Sequence, residues 1–122
     1  MALHELNGRW PGVTVNVGVI GGGTRPNVVA EEALVHLDLR ALEPATMALA
    51  EAEIERICAA TTVPDVSCTI EAGGRFGPMV RSPGTARLAE QAIELAGRLG
   101  FALRDAATGG GSDAGTISGL GV

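Results

Sequence analysis

Hydrophobic and polar residues alternate in three short segments of the chain, a pattern typical of half-buried β-strands. The first segment covers residues 13–19, where valine occupies every odd position, and it ends at three consecutive glycines, 21–23. The second covers residues 33–40 and the third covers residues 66–72. Because a Gly-rich connection joins the first two segments, we expect them to form an antiparallel pair of strands.

Two further segments repeat their apolar residues at helical spacing. A helix is predicted from Pro44, with one apolar face made of Met47, Ala50, Ile54, Ile57 and Cys58. A second helix is predicted from Ser82 and Pro83, an N-cap followed by a first-turn proline, and Gly100 ends it. Its apolar stripe consists of Leu88, Ala92, Leu95 and Leu99. A Gly-rich turn then leads into a predicted short helix.

The order strand, strand, helix, strand makes up most of a ferredoxin-like βαββαβ unit. The first strand and most of the first helix of that unit are missing, and we expect residues 1–7 to be the end of this helix. The pattern breaks at Gly73 and Gly74. We therefore predict an α+β chain with two parts: an incomplete ferredoxin-like sandwich over 1–75, with an antiparallel sheet and helices, and a helix with a Gly-rich loop over 76–122.

Composition excludes several classes of function. Hydrophobic residues make up 46% of the chain and charged residues 19%, which is typical of a globular protein. The net charge of −5 argues against nucleic-acid binding. All nine basic residues are arginine, which excludes a lysine Schiff base and a P-loop. We expect no membrane span and no signal peptide, and hence a cytoplasmic protein.

Three features could carry chemistry, and each also has a purely structural interpretation. The glycines at 21–23 and the segment 109–113 could bind an anion through backbone N–H groups, or could be ordinary turns. Arg40, on the polar side of its strand, could be a solvated charge or a guanidinium directed at a carboxylate.

The histidines and cysteines point to structure more than to chemistry. His4 and His36 have no second histidine at metal-ligand spacing, so we expect no metal site. Cys58 and Cys68 fall on apolar stripes, and we expect both to be small core residues.

Three motifs in succession resemble one known family. They are residues 16–29, which include Gly-Gly-Gly-Thr-Arg-Pro-Asn-Val-Val, then Leu-Asp-Leu-Arg at 37–40, then Thr-Gly-Gly-Gly-Ser-Asp-Ala at 108–114. Together they are similar to the zinc-dependent aminoacylase/carboxypeptidase superfamily, which includes acetylornithine deacetylase, succinyl-diaminopimelate desuccinylase and glutamate carboxypeptidase, with the last branch the nearest. The resemblance covers residues 7–122. It implies a lid, or dimerisation, domain followed by a segment of the zinc-binding catalytic domain.

The resemblance implies substrate-binding roles at five residues. Asn27 matches a lid asparagine that reaches the substrate. Arg40 matches the arginine of the family's Asp-x-Arg strand, which binds the substrate carboxylate. The loop that closes over the substrate is matched by Gly110, Gly111 and Ser112.

The segments that hold the family's zinc ligands have no match here, and His4 does not match the family's lid histidine. The resemblance therefore implies an internal fragment. It also implies two zinc ions in the full-length parent, and we expect this chain to hold neither the zinc ions nor the catalytic residues. We expect the isolated chain to be inactive.

Two functions follow as hypotheses. In the first, the chain is part of a zinc metallopeptidase or amidohydrolase that cleaves an amide next to a carboxylate, in a peptide or an N-acyl amino acid, and forms a homodimer through the lid. In the alternative, it is a non-catalytic ferredoxin-like module that binds a small ligand or dimerises. The segment from Gly110 to Asp113, after a separate helix, favours the enzyme.

Overall fold

The computed structural model describes residues 2–60 and 63–120, and the chain divides into two compact units, Met1–Ala72 and Gly73–Val122. The first unit contains a short 3₁₀ helix (His4–Leu6), strands β1 (Thr14–Gly22) and β2 (Ala33–Arg40), and helix α1 (Pro44–Ala59). The second contains helices α2 (Pro83–Arg98) and α3 (Asp113–Gly119). An antiparallel sheet combined with helices confirms the predicted α+β class.

The two strands pair antiparallel, as their alternation predicts, from Thr14 opposite Arg40 to Gly22 opposite Ala33. A β-bulge between Val17 and Val19 leaves Gly18 as an extra residue in β1. A bulge moves the residues that follow it to the opposite face of the sheet. Val19 therefore lies opposite His36 and is 54% exposed, whereas the alternation of valines alone predicts that it shares the face of Val15.

The core of the first unit lies between α1 and one face of the hairpin. Its buried members are Leu6, Val13, Val15 and Ala50. Partly buried apolar residues from β2 and from α1 pack around them, namely Leu37, Leu39, Ile54 and Ile57. The predicted inner face of α1 is thus confirmed at its middle and end.

The third predicted strand, at residues 66–72, is wrong. These residues lie in neither a helix nor a strand, and the sheet of the described chain consists of β1 and β2. An alternating pattern specifies which face is apolar, but a strand also needs a hydrogen-bonded neighbour. Cys68 is exposed here, so its predicted place in the core is also wrong. Cys58, on α1, is half-buried, and burial raises the pKa of its thiol.

The N-terminal segment begins with a 3₁₀ helix rather than the end of an α-helix, and Met1 lies outside the described residues. An ion-pair cluster links this segment to α1. Glu53 accepts a hydrogen bond from Arg9 at 2.5 Å, and Arg56 donates two more to the same carboxylate at 2.8 and 2.9 Å. Because both guanidiniums stabilise the charged form, the pKa of Glu53 falls from 4.5 to about 2.

The second unit confirms the predicted helix starts. Ser82 accepts a hydrogen bond from the Thr85 backbone N–H at 3.1 Å and caps α2, and Ser112 caps α3 in the same way through Ala114. Gly100, at φ +85°, follows the end of α2, as the sequence predicts. Across the described chain, each helix is too short or too polar to cross a lipid bilayer.

The Glu53 cluster predicts acid-dependent stability of the first unit. A carboxyl whose pKa is lowered by folding contributes all of its stabilisation above the unfolded pKa, and loses it as the pH falls. The contribution should therefore be complete above about pH 4.5 and decline toward about pH 2. We expect Glu53→Gln to lower the urea midpoint of unfolding at neutral pH. At about pH 3 the difference in this midpoint between the variant and the native chain should be smaller.

The matched control is Glu94→Gln, which removes the exposed Glu94–Arg98 pair of α2. Such surface pairs contribute little, so this variant should behave as the native chain at both pH values. An equal loss of stability for Glu53→Gln at neutral and at acid pH would contradict the prediction.

Candidate functional site

Asn27 lies in the connection between the two strands. The base of this connection is closed by Gly23, whose N–H donates to the Glu32 carbonyl at 3.3 Å. Within it, the Arg25 carbonyl accepts a hydrogen bond from the Val28 N–H at 3.3 Å and forms a turn around Asn27. The side chain of Asn27 is exposed, so it is available to a ligand at this end of the hairpin.

Gly22 ends β1 at a position where only glycine fits. Its φ of +149° is unfavourable for other residues, and a Cβ there would lie 2.7 Å from the Glu32 carbonyl oxygen. The first of the Gly-rich segments therefore has a structural requirement for glycine. Its predicted role in anion binding stays a prediction.

Arg40 is the last residue of β2, where it lies opposite Thr14. Its Nε donates to Asp38 Oδ2 at 2.7 Å, and both side chains are 53% exposed. Asp38 and Arg40 share the polar face of the strand because they are two residues apart. The contact fixes the plane of the guanidinium against a neighbour on its own strand, and the role of Arg40 toward a substrate stays a prediction.

The hairpin does not bring Asn27 and Arg40 together. Asn27 follows the end of the ladder at which Gly22 meets Ala33, and Arg40 lies at the other end. The eight residues of β2 span about 25 Å at the rise of a β-strand. A small ligand held by Arg40 is therefore far from the connection that carries Asn27 in the same hairpin.

The three remaining predicted residues belong to the second unit. Gly111 and Ser112 line a shallow cavity of about 360 Å³ together with Phe76 and Asp113. Near it, Thr108 Oγ1 accepts a hydrogen bond from the Gly110 N–H at 3.4 Å. A carboxylate in the lining opposes the binding of an anion, whereas a hydroxyl and an aromatic ring suit a neutral, partly apolar group.

Sequence reasoning missed Phe76 as a partner of this loop. Phe76 precedes Gly111 by 35 positions and lies in the Gly-rich segment that was expected to separate two domains. The only signal for it is that it is one of two phenylalanines in the chain and stands among glycines.

The donor set of the described residues does not fit a zinc site. Residues 2–60 and 63–120 contain no group of three or more His, Cys, Asp or Glu side chains that could hold a metal ion. A catalytic zinc ion needs three protein ligands and an open position. The described residues therefore do not form a catalytic zinc site by themselves.

The two-stranded antiparallel sheet and the helix that packs on it define the first unit as a small α+β domain. A comparison with family models identifies it further. Residues 1–66 match the peptidase dimerisation domain model, M20_dimer, which is just over half of the chain. The chain thus belongs to the M20 peptidase dimerisation domain family. No curated protein and no solved structure matches it.

The donor inventory predicts that the purified chain holds no zinc tightly and hydrolyses no amide. Among the described residues, no three His, Cys, Asp or Glu side chains come together to form an open three-ligand site. Metal analysis after dialysis against zinc, with an amide-hydrolysis assay on the same sample, checks this. Stoichiometric zinc that survives dialysis and supports hydrolysis would show the prediction to be wrong.

Proposed function

We propose that this chain is part of an M20-type amidohydrolase that cleaves an amide next to a carboxylate, as glutamate carboxypeptidase-like enzymes do. The observation that carries the proposal is the family match over residues 1–66, which contains both strands and the Asp38–Arg40 pair. The first unit supplies dimerisation and binds the substrate carboxylate. The substrate class is a peptide or an N-acyl amino acid.

The contribution of Arg40 is to hold and orient the substrate. A planar guanidinium binds a carboxylate through two parallel hydrogen bonds, which fix both the distance and the plane of the bound group. The contact of Nε with Asp38 limits the rotation of the guanidinium before the substrate arrives. Such preorganisation lowers the entropy lost on binding and places the scissile amide at a defined distance from the carboxylate.

We assign the other predicted residues separate contacts. Asn27 lies about one strand length from Arg40, so its amide would contact something other than the carboxylate held by Arg40. The resemblance gives the loop with Gly110, Gly111 and Ser112 a role in closing over substrate in the parent enzyme, and within the second unit Phe76 lines the same cavity as Gly111 and Ser112. Two zinc ions in the parent enzyme would be held by residues outside this chain.

A second candidate function is a dimerisation module without chemistry of its own. The observation that favours it is the set of exposed apolar side chains at the end of the hairpin farthest from the core, namely Val19, Ile20, Leu34 and Val35. Exposed apolar residues that cluster on one end of a sheet mark an interaction surface. This function and the first share one requirement, a homodimer formed through the first unit.

The homodimer is tested on the purified chain. One chain has a mass of 12.3 kDa, and we expect light scattering at micromolar concentration to give twice this mass. The reason is that the dimerisation domain and the exposed end of the hairpin are both present. Ile20→Ser should weaken the dimer, since the side chain is 63% exposed and its substitution leaves the core intact. Leu88→Ser is the control, because Leu88 is 62% exposed and lies on α2. A monomer at all concentrations would refute the homodimer.

The carboxylate site is tested in the full-length parent with paired substrates. Arg40→Ala should lower kcat/KM far more for substrates with a free carboxylate than for their amidated analogues. Charge-assisted hydrogen bonds contribute roughly 1.5–3 kcal/mol, which corresponds to a loss of about 10- to 150-fold in kcat/KM. Arg40→Lys should recover only part of the activity, because an ammonium lacks the planar fork.

The matched control is Arg25→Ala, which removes the same charge from the connection of the same hairpin. This variant should leave unchanged the ratio of kcat/KM for the free acid to kcat/KM for the amidated substrate. If Arg40 only pairs with Asp38, Arg40→Ala will affect the acid and the amide alike, and this result would remove Arg40 from the site.

A further inference from the structure

The first unit brings the two cysteines of the chain together. Cys58 lies in the last turn of α1, and Cys68 lies in the segment after the helix, in neither a helix nor a strand. The side chain of Cys58 forms a hydrogen bond with the side chain of Cys68, and both thiols are free. Two thiols that are distant in the helical pattern are thus neighbours in the fold.

The path of the backbone after α1 accounts for this contact. The Ala60 N–H donates to the Arg56 carbonyl at 3.1 Å, where the helix ends. Asp65 lies in a turn and has a φ of +60°, a conformation that aspartate tolerates better than most residues. The chain therefore has a turn between the two cysteines, which places Cys68 back against the end of the helix.

The two thiols differ in their surroundings. Cys68 is exposed, and its S–H donates to the Thr69 carbonyl at 4.0 Å. Cys58 is half-buried, and burial together with the hydrogen bond to Cys68 raises the pKa of its thiol. A hydrogen bond that raises a thiol pKa is one in which the neutral S–H donates, so the Cys58 S–H points at the Cys68 sulfur. An oxidant in solution therefore reaches Cys68 first, with Cys58 already directed at the sulfur that reacts.

We propose that Cys58 and Cys68 are a redox-modification site, at which a hydroperoxide oxidises the two thiols to a reversible disulfide. In the first step the Cys68 thiolate attacks hydrogen peroxide: an S–O bond forms, the O–O bond breaks, and one water leaves with the thiol proton. In the second step the Cys58 sulfur attacks the Cys68 sulfenic acid: the S–S bond forms, the S–O bond breaks, and the hydroxyl leaves with the Cys58 proton as a second water. Two thiols thus lose two hydrogen atoms, and the peroxide is reduced to two waters.

The disulfide would join the end of α1 to residues 66–72, which take no part in the sheet of the described chain. A cross-link of this kind stabilises a fold when the native geometry suits it, and the fold then favours the disulfide to the same extent. The inference is independent of the proposed function, because the contacts assigned there to the dimer and to the substrate use other residues.

The equilibrium with glutathione and its disulfide tests whether the fold favours this pair. The native chain is compared with the same chain in concentrated urea, where only the spacing along the sequence brings the thiols together. We expect the effective concentration of one thiol at the other to be about 30-fold higher, or more, in the native chain, the factor typical of a disulfide that suits its fold. An equal or lower value in the native chain would overturn the proposal.

Oxidation by one equivalent of hydrogen peroxide tests the product. We expect the intact mass of the native chain to fall by two hydrogen atoms, and a peptide map without reductant to link the peptides that contain Cys58 and Cys68. A dithiol reductant should restore the original mass. Oxygen atoms that this reductant does not remove, or a cross-link between two chains in place of the internal one, would contradict the proposal.

Cys58→Ala and Cys68→Ala are a matched pair of variants that test the order of the two steps. Each retains one thiol, and neither can lose two hydrogen atoms within one chain. Cys58→Ala should form a sulfenic acid at Cys68 that a 1,3-dione reagent traps. Cys68→Ala should react with peroxide more slowly, because its remaining thiol is half-buried and burial raises its pKa. An equal or faster reaction of Cys68→Ala would overturn the role of Cys68 as the thiol that is oxidised first.

Discussion

The first unit depends on the close packing of α1 against one face of a two-stranded sheet. A hairpin alone is marginally stable in water, because one ladder of hydrogen bonds does not offset the entropy of ordering both strands. Ala50 is completely buried at the middle of the helix, and its small side chain lets the helix lie close to Val13 and Val15. Leu6 fills the remaining space from the N-terminal segment, so the position of the neighbouring Asn7 depends on the same contact.

The elements whose stability is local could be predicted from the sequence. Pro44 and the Ser82-Pro83 pair mark helix starts through capping and a fixed φ, and these effects act within one turn. The alternation of apolar and polar residues in β1 and β2 predicts that the two segments are strands with one apolar face, and the connection between them predicts that they pair antiparallel. The bulge at Gly18 could not be predicted, because valine occupies the odd positions on both sides of it. The pattern therefore predicts an uninterrupted strand. The pattern at 66–72 failed as a strand because pairing is not a local property.

The candidate site could be predicted less completely, and for two different reasons. The separation of Asn27 and Arg40 follows from the sequence itself, since one residue lies between two antiparallel strands and the other ends the second strand. The cavity beside Ser112 does not follow from the sequence, because Phe76 approaches it through a tertiary contact over a long sequence distance. Asn7 is a third case. An asparagine after a 3₁₀ helix indicates a turn, and only the structure shows that its amide binds a strand.

Two local features modify the edge of β1 that faces away from β2 in the described part of the chain. A fully exposed edge pairs in many registers, which leads to aggregation rather than to one dimer. Charged residues or proline would close the whole edge, whereas the amide of Asn7 occupies the hydrogen-bonding groups of one residue only. The bulge at Gly18 then turns an apolar side chain away from the core just beyond the closed position. Closure at Val15 and exposure at Val19 are thus the results of two local features, the amide of Asn7 and the bulge at Gly18.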